Sequence, residues 1–302
     1  MKEKLKIIYL ARHNNPFSND DEGGIAGSLR ELGHEVQCID EQHIQLLDRP
    51  RVTGDFILFH HCKSFSFLQR NPIPKVFWCF DRIYWDSPKL ATRNAQRVEW
   101  VNKATEISQL GFCTDGDWVQ QDKTGKLVWL MQGFNQYLPR VKNLNTNSNK
   151  ILFIGGGRDY GRDEFVSEMR QRYGDRFVHI PKGAYKERLV SLIEDSAIVV
   201  APPSPVTDRY WSNRLYVIMG IGGFLLHPRT QGITDDFDQD YGDITFYDST
   251  SDLHEWIEYY TTKAVYEREE FRVKGQAQVL AHHTYKDRCQ TLITTIRERL
   301  GI

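Results

Sequence analysis

A polar cluster that directly precedes an apolar run contains residue types suited to ligand binding. Residues 210–214, Tyr-Trp-Ser-Asn-Arg, lead into the apolar run 215–221, which a glycine pair ends. Ser212 and Asn213 are good N-cap residues, so a helix is predicted to begin here. Its N-terminus offers unpaired N–H groups, and Arg214 adds a guanidinium that can hold a phosphate through two hydrogen bonds. The pattern therefore predicts an anion site; an ordinary cap with Arg214 in a surface ion pair is the alternative.

Two further turns could contact the same ligand. Gly155 and Gly156 follow the apolar run 151–154, and Arg158 comes two residues later. Glycines there allow a close approach of the backbone to a ligand, with Arg158 reaching a phosphate, although a plain tight turn is the alternative. The spacing lacks Gly-x-Gly-x-x-Gly, which makes a dehydrogenase a weak interpretation. Lys182 lies after the apolar run 177–180, in a loop that either contacts the ligand or only connects two elements.

Candidates for a general base follow three apolar runs of the first half, and His13 follows the first of them. Asp81 follows the run 76–80, and His60 and His61 follow the run 56–59. A base must be titratable and must reach the proton that it removes. A structural salt bridge is the alternative for Asp81, and at most one of the two histidines is expected to serve. No His, Cys or Asp residues have metal-ligand spacing, so a metal-independent reaction is expected.

The elements that must position these residues alternate between strands and helices. Short apolar runs at 6–10, 36–39, 56–59 and 76–80, and again at 151–154, 177–180, 197–201 and 224–227, are separated by helical patterns. This predicts an α/β protein with two doubly wound, Rossmann-like domains, residues 1–140 and 150–302, joined by the polar linker 141–149. Helical stretches at about 252–281 and 284–299 are assigned to the second domain. Such sheets bind ligands at the carboxyl ends of their strands, here around a shared central cleft.

Composition narrows the class of protein. The chain has 302 residues, of which 40% are hydrophobic and 26% charged, and a formal net charge of −1. These values are typical of soluble globular proteins and argue against a non-specific nucleic-acid coat protein. The five scattered cysteines suggest reduced thiols, and no apolar run reaches the ~18 residues of a membrane span. A cytoplasmic protein without a membrane span is expected.

The second half resembles a known family. Tyr210-Trp-Ser-Asn-Arg-Leu-Tyr, then Gly-Ile-Gly-Gly-Phe-Leu-Leu and Gln231-Gly-Ile, and the ending His283-Thr-Tyr-Lys-Asp-Arg288 resemble the C-terminal domain of GT-B glycosyltransferases. In particular, residues 150–290 resemble the group related to the spore-maturation protein CgeB. The resemblance implies the GT-B fold and transfer of a sugar from a nucleoside diphosphate donor, with a UDP-sugar favoured and no other cofactor. The acceptor would carry a hydroxyl, on a glycan, a small molecule or a modified nucleobase.

The resemblance also suggests roles for particular residues. Gly23 and Gly24 are similar to the glycine-rich first loop and helix of GT-B enzymes. The alternative interpretation of these two glycines is a surface loop. Asp81 or His61 would be the catalytic base. The expected donor-binding residues are Gly23, Gly24, Gly156, Arg158, Lys182, Tyr210, Trp211, Ser212, Asn213 and Arg214.

One departure from the family is evident. Many retaining members of this fold carry two glutamates eight positions apart, and Arg209 and Val217 occupy those positions here. Retention and inversion of stereochemistry therefore both stay open. A sugar-nucleotide epimerase and a non-catalytic sugar-nucleotide-binding module are the alternative functions.

Overall fold

The computed structural model describes residues 3–13, 15, 18–46, 52–60, 65–83, 91–142, 145–156, 162–201 and 207–302. The chain forms two compact units. The first consists of Met1–Pro16, Asp20–Asn135 and Tyr285–Ile302, and the second of Phe17–Asn19 and Gln136–Thr284. None of the helices in these described ranges is both long and apolar enough to cross a membrane. The four described cysteines, Cys38, Cys79, Cys113 and Cys289, are free thiols.

The first unit is built on a six-stranded parallel sheet. Apolar runs form its strands because both faces are covered, and the side chains of β3 to β5 are buried throughout. The order is β2-β1-β3-β4-β5-β6. The strands are β1 (Lys6–Ala11), β2 (Glu35–Asp40), β3 (Phe56–Phe59), β4 (Lys75–Cys79), β5 (Leu110–Cys113) and β6 (Leu127–Trp129).

Helices pack on both faces of this sheet. One core lies between the sheet and two helices, α1 (Asp21–Glu31) and α11 (Tyr285–Leu300). The other core contains residues of α2 (Phe65–Arg70) and α3 (Ala91–Ile107). A short helix, α4 (Gly116–Gln120), precedes β6.

The second unit repeats this plan with five parallel strands. Its order is β11-β10-β9-β7-β8, so in both sheets the first strand lies between the second and the third. The strands are β7 (Ile151–Ile154), β8 (Phe177–Ile180), β9 (Ile198–Val200), β10 (Leu225–Pro228) and β11 (Thr245–Tyr247). The helices are α5 (Asp163–Tyr173), α6 (Lys186–Glu194), α7 (Arg214–Ile221), α8 (Gln231–Thr234), α9 (Thr250–Glu258) and α10 (Val265–His282). The prediction of an α/β fold with two parallel sheets is confirmed.

The structure corrects two details of the predicted C-terminal half. The stretch predicted as one helix over 252–281 is divided, because a π-helical turn at Tyr259–Lys263 separates α9 from α10. The last helix, assigned from the sequence to the second domain, belongs to the first unit. Its buried side chains Cys289, Leu292 and Ile296 complete the core beneath α1. A local helical pattern does not show which sheet the helix will cover.

The predicted linker is held against the second unit. The N–H of Val141 donates to the carbonyl of Ile221 (2.9 Å), and that of Asn145 donates to the carbonyl of Glu194 (3.0 Å). Arg268, which is 1% exposed, donates from Nη2 to the carbonyl of Thr146 (3.1 Å). The change from one unit to the other falls earlier, between Asn135 and Gln136.

Candidate functional site

The order in which the chain adds strands to the second sheet reverses at β7. β8 lies on one side of β7, while β9, β10 and β11 lie on the other. In open parallel sheets this reversal opens a crevice outside the carboxyl ends of the strands, where ligands bind. Residues just after β7 therefore occupy the place at which this architecture favours a site.

Two arginines meet at the glycine that follows β7. A Cβ on Gly155 would lie 3.0 Å from Nη2 of Arg214 and 3.3 Å from Nη1 of Arg162, and Gly155 has a φ of +148°. Arg162 donates from Nη1 to the carbonyl of Gly156 (3.2 Å), and its guanidinium lies 5.7 Å from the centre of the Phe153 ring. Two guanidinium groups beside bare backbone form a cationic cradle suited to phosphate oxygens.

Two histidines lie beside the cradle. His179 Nε2 lies 2.8 Å from the carbonyl of Gly155, and the ring stacks on Phe153 with centroids 5.0 Å apart. His227, at the end of β10, donates from Nδ1 to the carbonyl of Pro228 (2.8 Å). Burial, together with the positive charge of Arg214, lowers the pKa of His227 to about 4. The imidazole is therefore neutral at pH 7, and the charge of the cradle comes from the arginines.

The start of α7 is fixed by Ser212. Its Oγ accepts a hydrogen bond from the N–H of Arg214 (3.3 Å), and its carbonyl accepts one from the N–H of Leu215 (3.1 Å). Asn213 has helical dihedral angles, and its side chain does not cap the helix. Ser212 thus satisfies one exposed donor of the first turn and sets the position at which Arg214 leaves the helix.

Trp211 anchors the loop from beneath. The ring is 5% exposed, and its Nε1 donates to the hydroxyl of Tyr216 (3.0 Å), which donates to Oδ2 of Asp236 (3.2 Å). Tyr210 is half-buried, and its carbonyl accepts from the hydroxyl of Thr207 (3.5 Å). The structure therefore gives Trp211 a packing role, while Ser212 and Arg214 lie at the cradle.

The other predicted donor-binding residues of this unit are placed as follows. Gly156 lies at the cradle, where its carbonyl orients Arg162. Lys182 is exposed in the turn after β8. Arg158 lies outside the described residues. The sequence analysis did not select Arg162, His179 or His227. The two histidines stand at or near strand ends, and this position could have identified them. No feature of the sequence marks Arg162.

Gly23 and Gly24 form the first turn of α1 rather than an open loop. The N–H of Gly23 donates to Oδ1 of Asp20 (3.3 Å), so a side chain of the protein already occupies this donor. A Cβ on Gly24 would lie 2.8 Å from Cγ of Asn135 and 3.0 Å from Cδ2 of Tyr285. Packing alone therefore requires a residue without a side chain at position 24.

The predicted bases of the first unit are engaged or undescribed. Asp81 Oδ1 pairs with Nη2 of Arg97 (3.2 Å), the structural salt bridge that was the alternative interpretation. His60 is 1% exposed, and its Nδ1 lies 2.7 Å from the carbonyl of Trp78. His61 lies outside the described residues. Within the ranges that are described, no group of three or more His, Cys, Asp or Glu residues could hold a metal ion.

Solved structures with the same architecture are glycosyltransferases. Sucrose-phosphate synthase from Thermosynechococcus elongatus matches with a TM-score of 0.70 at 11% identity, over 99% of this chain and 100% of that chain. Anabaena HepE in complex with UDP-glucose matches with a TM-score of 0.62 at 13% identity, over 97% and 100%. An alpha-glucosyltransferase in complex with UDP-glucose and DNA containing an abasic site matches with a TM-score of 0.66 at 11% identity, over 97% and 99%. The fold of this chain is thus that of GT-B glycosyltransferases.

One family model matches part of the chain in sequence. Residues 146–294 match the family described as glycosyl transferase-like, a segment that carries the whole cradle. No curated protein matches the chain significantly. The similarity in sequence is therefore found in the part of the chain that carries the cradle, and the similarity in fold extends over nearly the whole chain.

Proposed function

We propose that this protein is a glycosyltransferase that moves a sugar from a nucleoside diphosphate sugar to a hydroxyl acceptor. The observation that carries the proposal is the convergence of Arg162 and Arg214 on Gly155. These residues lie at the carboxyl edge of the second sheet, within the segment that matches the glycosyl transferase-like family. Two of the structural relatives are complexes with UDP-glucose, which favours a UDP-sugar as donor. Membership of the CgeB-related group, a cytoplasmic location and a metal-independent reaction are parts of this proposal.

The cradle would act on the charge that develops during transfer. When the bond between the sugar and the diphosphate breaks, negative charge accumulates on the leaving phosphate oxygen. Arg162, Arg214 and the N-terminal end of α7 are fixed before the reaction and would stabilise that charge. Ser212 and Gly156 are positioning residues, because they hold the two arginines in place.

The acceptor would bind to the first unit. A glycan, a small molecule and a modified nucleobase are the candidate classes, and one structural relative is a complex with DNA. The stereochemistry is open, because Val217 is 4% exposed inside α7 and Arg209 is not acidic. Neither position supplies the carboxylate found in many retaining relatives.

The proposal is tested by nucleotide binding to the wild type and to Arg214→Ala. A ligand that binds only the folded state stabilises it by about 2.7 kcal/mol at 100 times Kd, which a thermal-shift assay detects. UDP, GDP, ADP, TDP and CMP and their sugars are the probes. Loss of charge-assisted hydrogen bonds worth about 1.5–3 kcal/mol should weaken nucleotide binding roughly 10- to 100-fold in the variant.

Arg170→Ala is the matched control, because Arg170 is an exposed arginine in the last turn of α5. Its binding of nucleotide should equal that of the wild type. If no nucleotide raises the midpoint of the wild type, or if Arg214→Ala binds as well as the wild type, the cradle is not a phosphate site.

A non-catalytic sugar-nucleotide-binding module is the second candidate. The absence of carboxylates at positions 209 and 217 favours it. Such a module would bind the nucleotide sugar through the same arginines without releasing nucleoside diphosphate. An epimerase would also release nucleotide in the absence of any sugar acceptor, but the sugar would appear as its epimer.

A further inference from the structure

The first sheet has its own reversal of chain order, and an acidic residue stands beside it. β2 lies on one side of β1 and β3 on the other, so the crevice opens where the chain leaves β1 and enters α1. Glu22 is the second residue of α1 and is half-buried. Glu22 therefore stands at the start of the helix that follows β1, close to this reversal.

Buried and charged groups surround Glu22. The hydroxyl-bearing rings of Tyr9 on β1 and Tyr285 on α11 are close enough to feel its charge, and both side chains are buried. Asp20 and Asp21 precede it at the start of α1, and Arg12 follows β1. The pKa of Glu22 is raised to about 7, mainly by burial and also by the charges of Asp21 and Asp20, while its own backbone N–H and Arg12 oppose the rise.

Two other acids of this unit, Asp20 and Asp81, are committed to structural contacts. Asp20 caps α1 through the N–H of Gly23, and Asp81 is paired with Arg97. The Glu22 carboxyl forms no ion pair and no hydrogen bond to another side chain within the described ranges. Its hydrogen-bond donor is its own backbone N–H. A half-buried carboxyl that has no side-chain partner among the described residues, at the edge where parallel sheets bind ligands, has the features of a functional acid or base.

We propose that Glu22 is the general base that removes the proton from the acceptor hydroxyl. The inference rests on the proposed function and adds a residue that sequence reasoning did not select. The acceptor O–H gives its proton to the Glu22 carboxylate, and the acceptor oxygen forms a bond to the anomeric carbon. The bond from that carbon to the phosphate oxygen breaks, and its electron pair leaves with the nucleoside diphosphate. Water can replace the acceptor, in which case the products are free sugar and nucleoside diphosphate.

Glu22→Gln tests the assignment without knowledge of the acceptor. The reaction is release of glucose from UDP-glucose with water as acceptor, followed between pH 5 and pH 9. In the wild type the rate should rise with pH up to about 7 and then level off, because only the ionised carboxyl accepts a proton. The variant should be about 100-fold slower or more and should lose this pH dependence, while its thermal shift with UDP stays that of the wild type.

Two further variants complete the experiment. Glu31→Gln changes the exposed acid at the other end of α1, which pairs with Lys286, and should leave the rate unchanged. Glu22→Asp keeps the carboxyl group on a side chain that is shorter by one methylene. We expect a rate between those of the wild type and Glu22→Gln, with the pH dependence retained.

Stability gives a readout that does not require turnover. The pKa of Glu22 is raised in the folded state, so ionisation opposes folding and the wild type loses stability as the pH rises from about 4.5 to about 7. Glu22→Gln should therefore raise the melting midpoint at pH 8 and change it little at pH 4.

The outcomes are distinguishable. If the wild type releases glucose and Glu22→Gln does so within threefold of its rate, Glu22 is not the base, although the proposed function stands. If the wild type binds UDP-glucose but never releases glucose or UDP, the protein is a binding module and both proposals fall. If Glu22→Gln and Glu22→Asp lower both the rate and the thermal shift produced by UDP, Glu22 supports the fold rather than the reaction, and the proposal is overturned.

Discussion

Two arginines that are distant in sequence lie beside the same glycine in the fold. Arg162 precedes α5 and Arg214 begins α7, yet both guanidinium groups lie within 3.3 Å of the space that a Cβ on Gly155 would fill. Like charges held this close repel each other, and a bound diphosphate would offset that repulsion. A cradle of this kind is therefore more favourable with an anion than without one.

Gly155→Ala should damage the cradle without removing a charge. The new Cβ would displace Nη2 of Arg214, and a φ of +148° strains any residue with a side chain. We expect UDP binding about 10-fold weaker or more, and a loss of roughly 1–3 kcal/mol in the free energy of unfolding. Titration calorimetry and chemical denaturation measure the two effects.

Gly174→Ala separates the two causes. Gly174 also has a positive φ, +52°, but nothing lies within 4 Å of its Cβ position. This variant should lose stability and keep its affinity for UDP. Equal affinities in all three proteins would mean that the position of Arg214 does not matter for binding.

At the scale of the elements, the loop before α7 is held by aromatic packing as well as by its cap. Trp211 donates to Tyr216, whose hydroxyl donates to Asp236. The ring of Tyr216 also stacks on His283, with centroids 5.4 Å apart. The polar tip thus stands on a buried network that connects it to α7 and to the end of α10.

Trp211→Phe should loosen this support. The substitution removes the indole donor and leaves empty volume around the smaller ring, which should cost about 1–3 kcal/mol of folding free energy. Affinity for UDP should fall by less than in Arg214→Ala, because the guanidinium is still present. Tyr266→Phe, at a residue that is 93% exposed, is the control and should change neither quantity. An unaltered melting midpoint in Trp211→Phe would show that the network does not stabilise the loop.

At the scale of the whole molecule, the first unit is closed by the last helix of the chain. The N–H of Tyr285 donates to the carbonyl of Phe134 (2.9 Å), and Arg288 Nε donates to the carbonyl of Gln132 (3.1 Å). Leu292 and Ile296 are fully buried in the core that contains Ile25 of α1. The chain therefore leaves the first unit, builds the second and returns.

Leu292→Ala should destabilise the first unit selectively. Removing a fully buried leucine side chain costs about 2–5 kcal/mol, so amide exchange in β1 and α1 should accelerate while that in β7 and β10 stays the same. Thr291→Ala, at the exposed neighbouring position, is the control. Faster exchange confined to the second unit would contradict the assignment of α11 to the first.

Much of the fold could be predicted because its signals are local. A continuous apolar run must be buried on both faces, so β3, β4 and β7 were predicted from their apolar runs alone. Helix ends were predicted where glycine or a capping residue supplies the required geometry, as at the glycine pair that ends α7, where Gly222 has a φ of +106°. The division between α9 and α10 was missed because a π-helical turn has no simple sequence signature.

The sequence by itself determined the class of fold, the position of α7 and the place of Ser212 and Arg214 at its start, since each depends on neighbours along the chain. Only the tertiary structure decided that Arg162 joins Arg214 at Gly155, that Arg97 engages Asp81, that Glu22 is half-buried beside two tyrosines, and that α11 covers the first sheet. These contacts join residues distant in sequence. Which of them meet depends on how the strands are ordered in each sheet and on which face each helix covers, and neither is written in a local pattern.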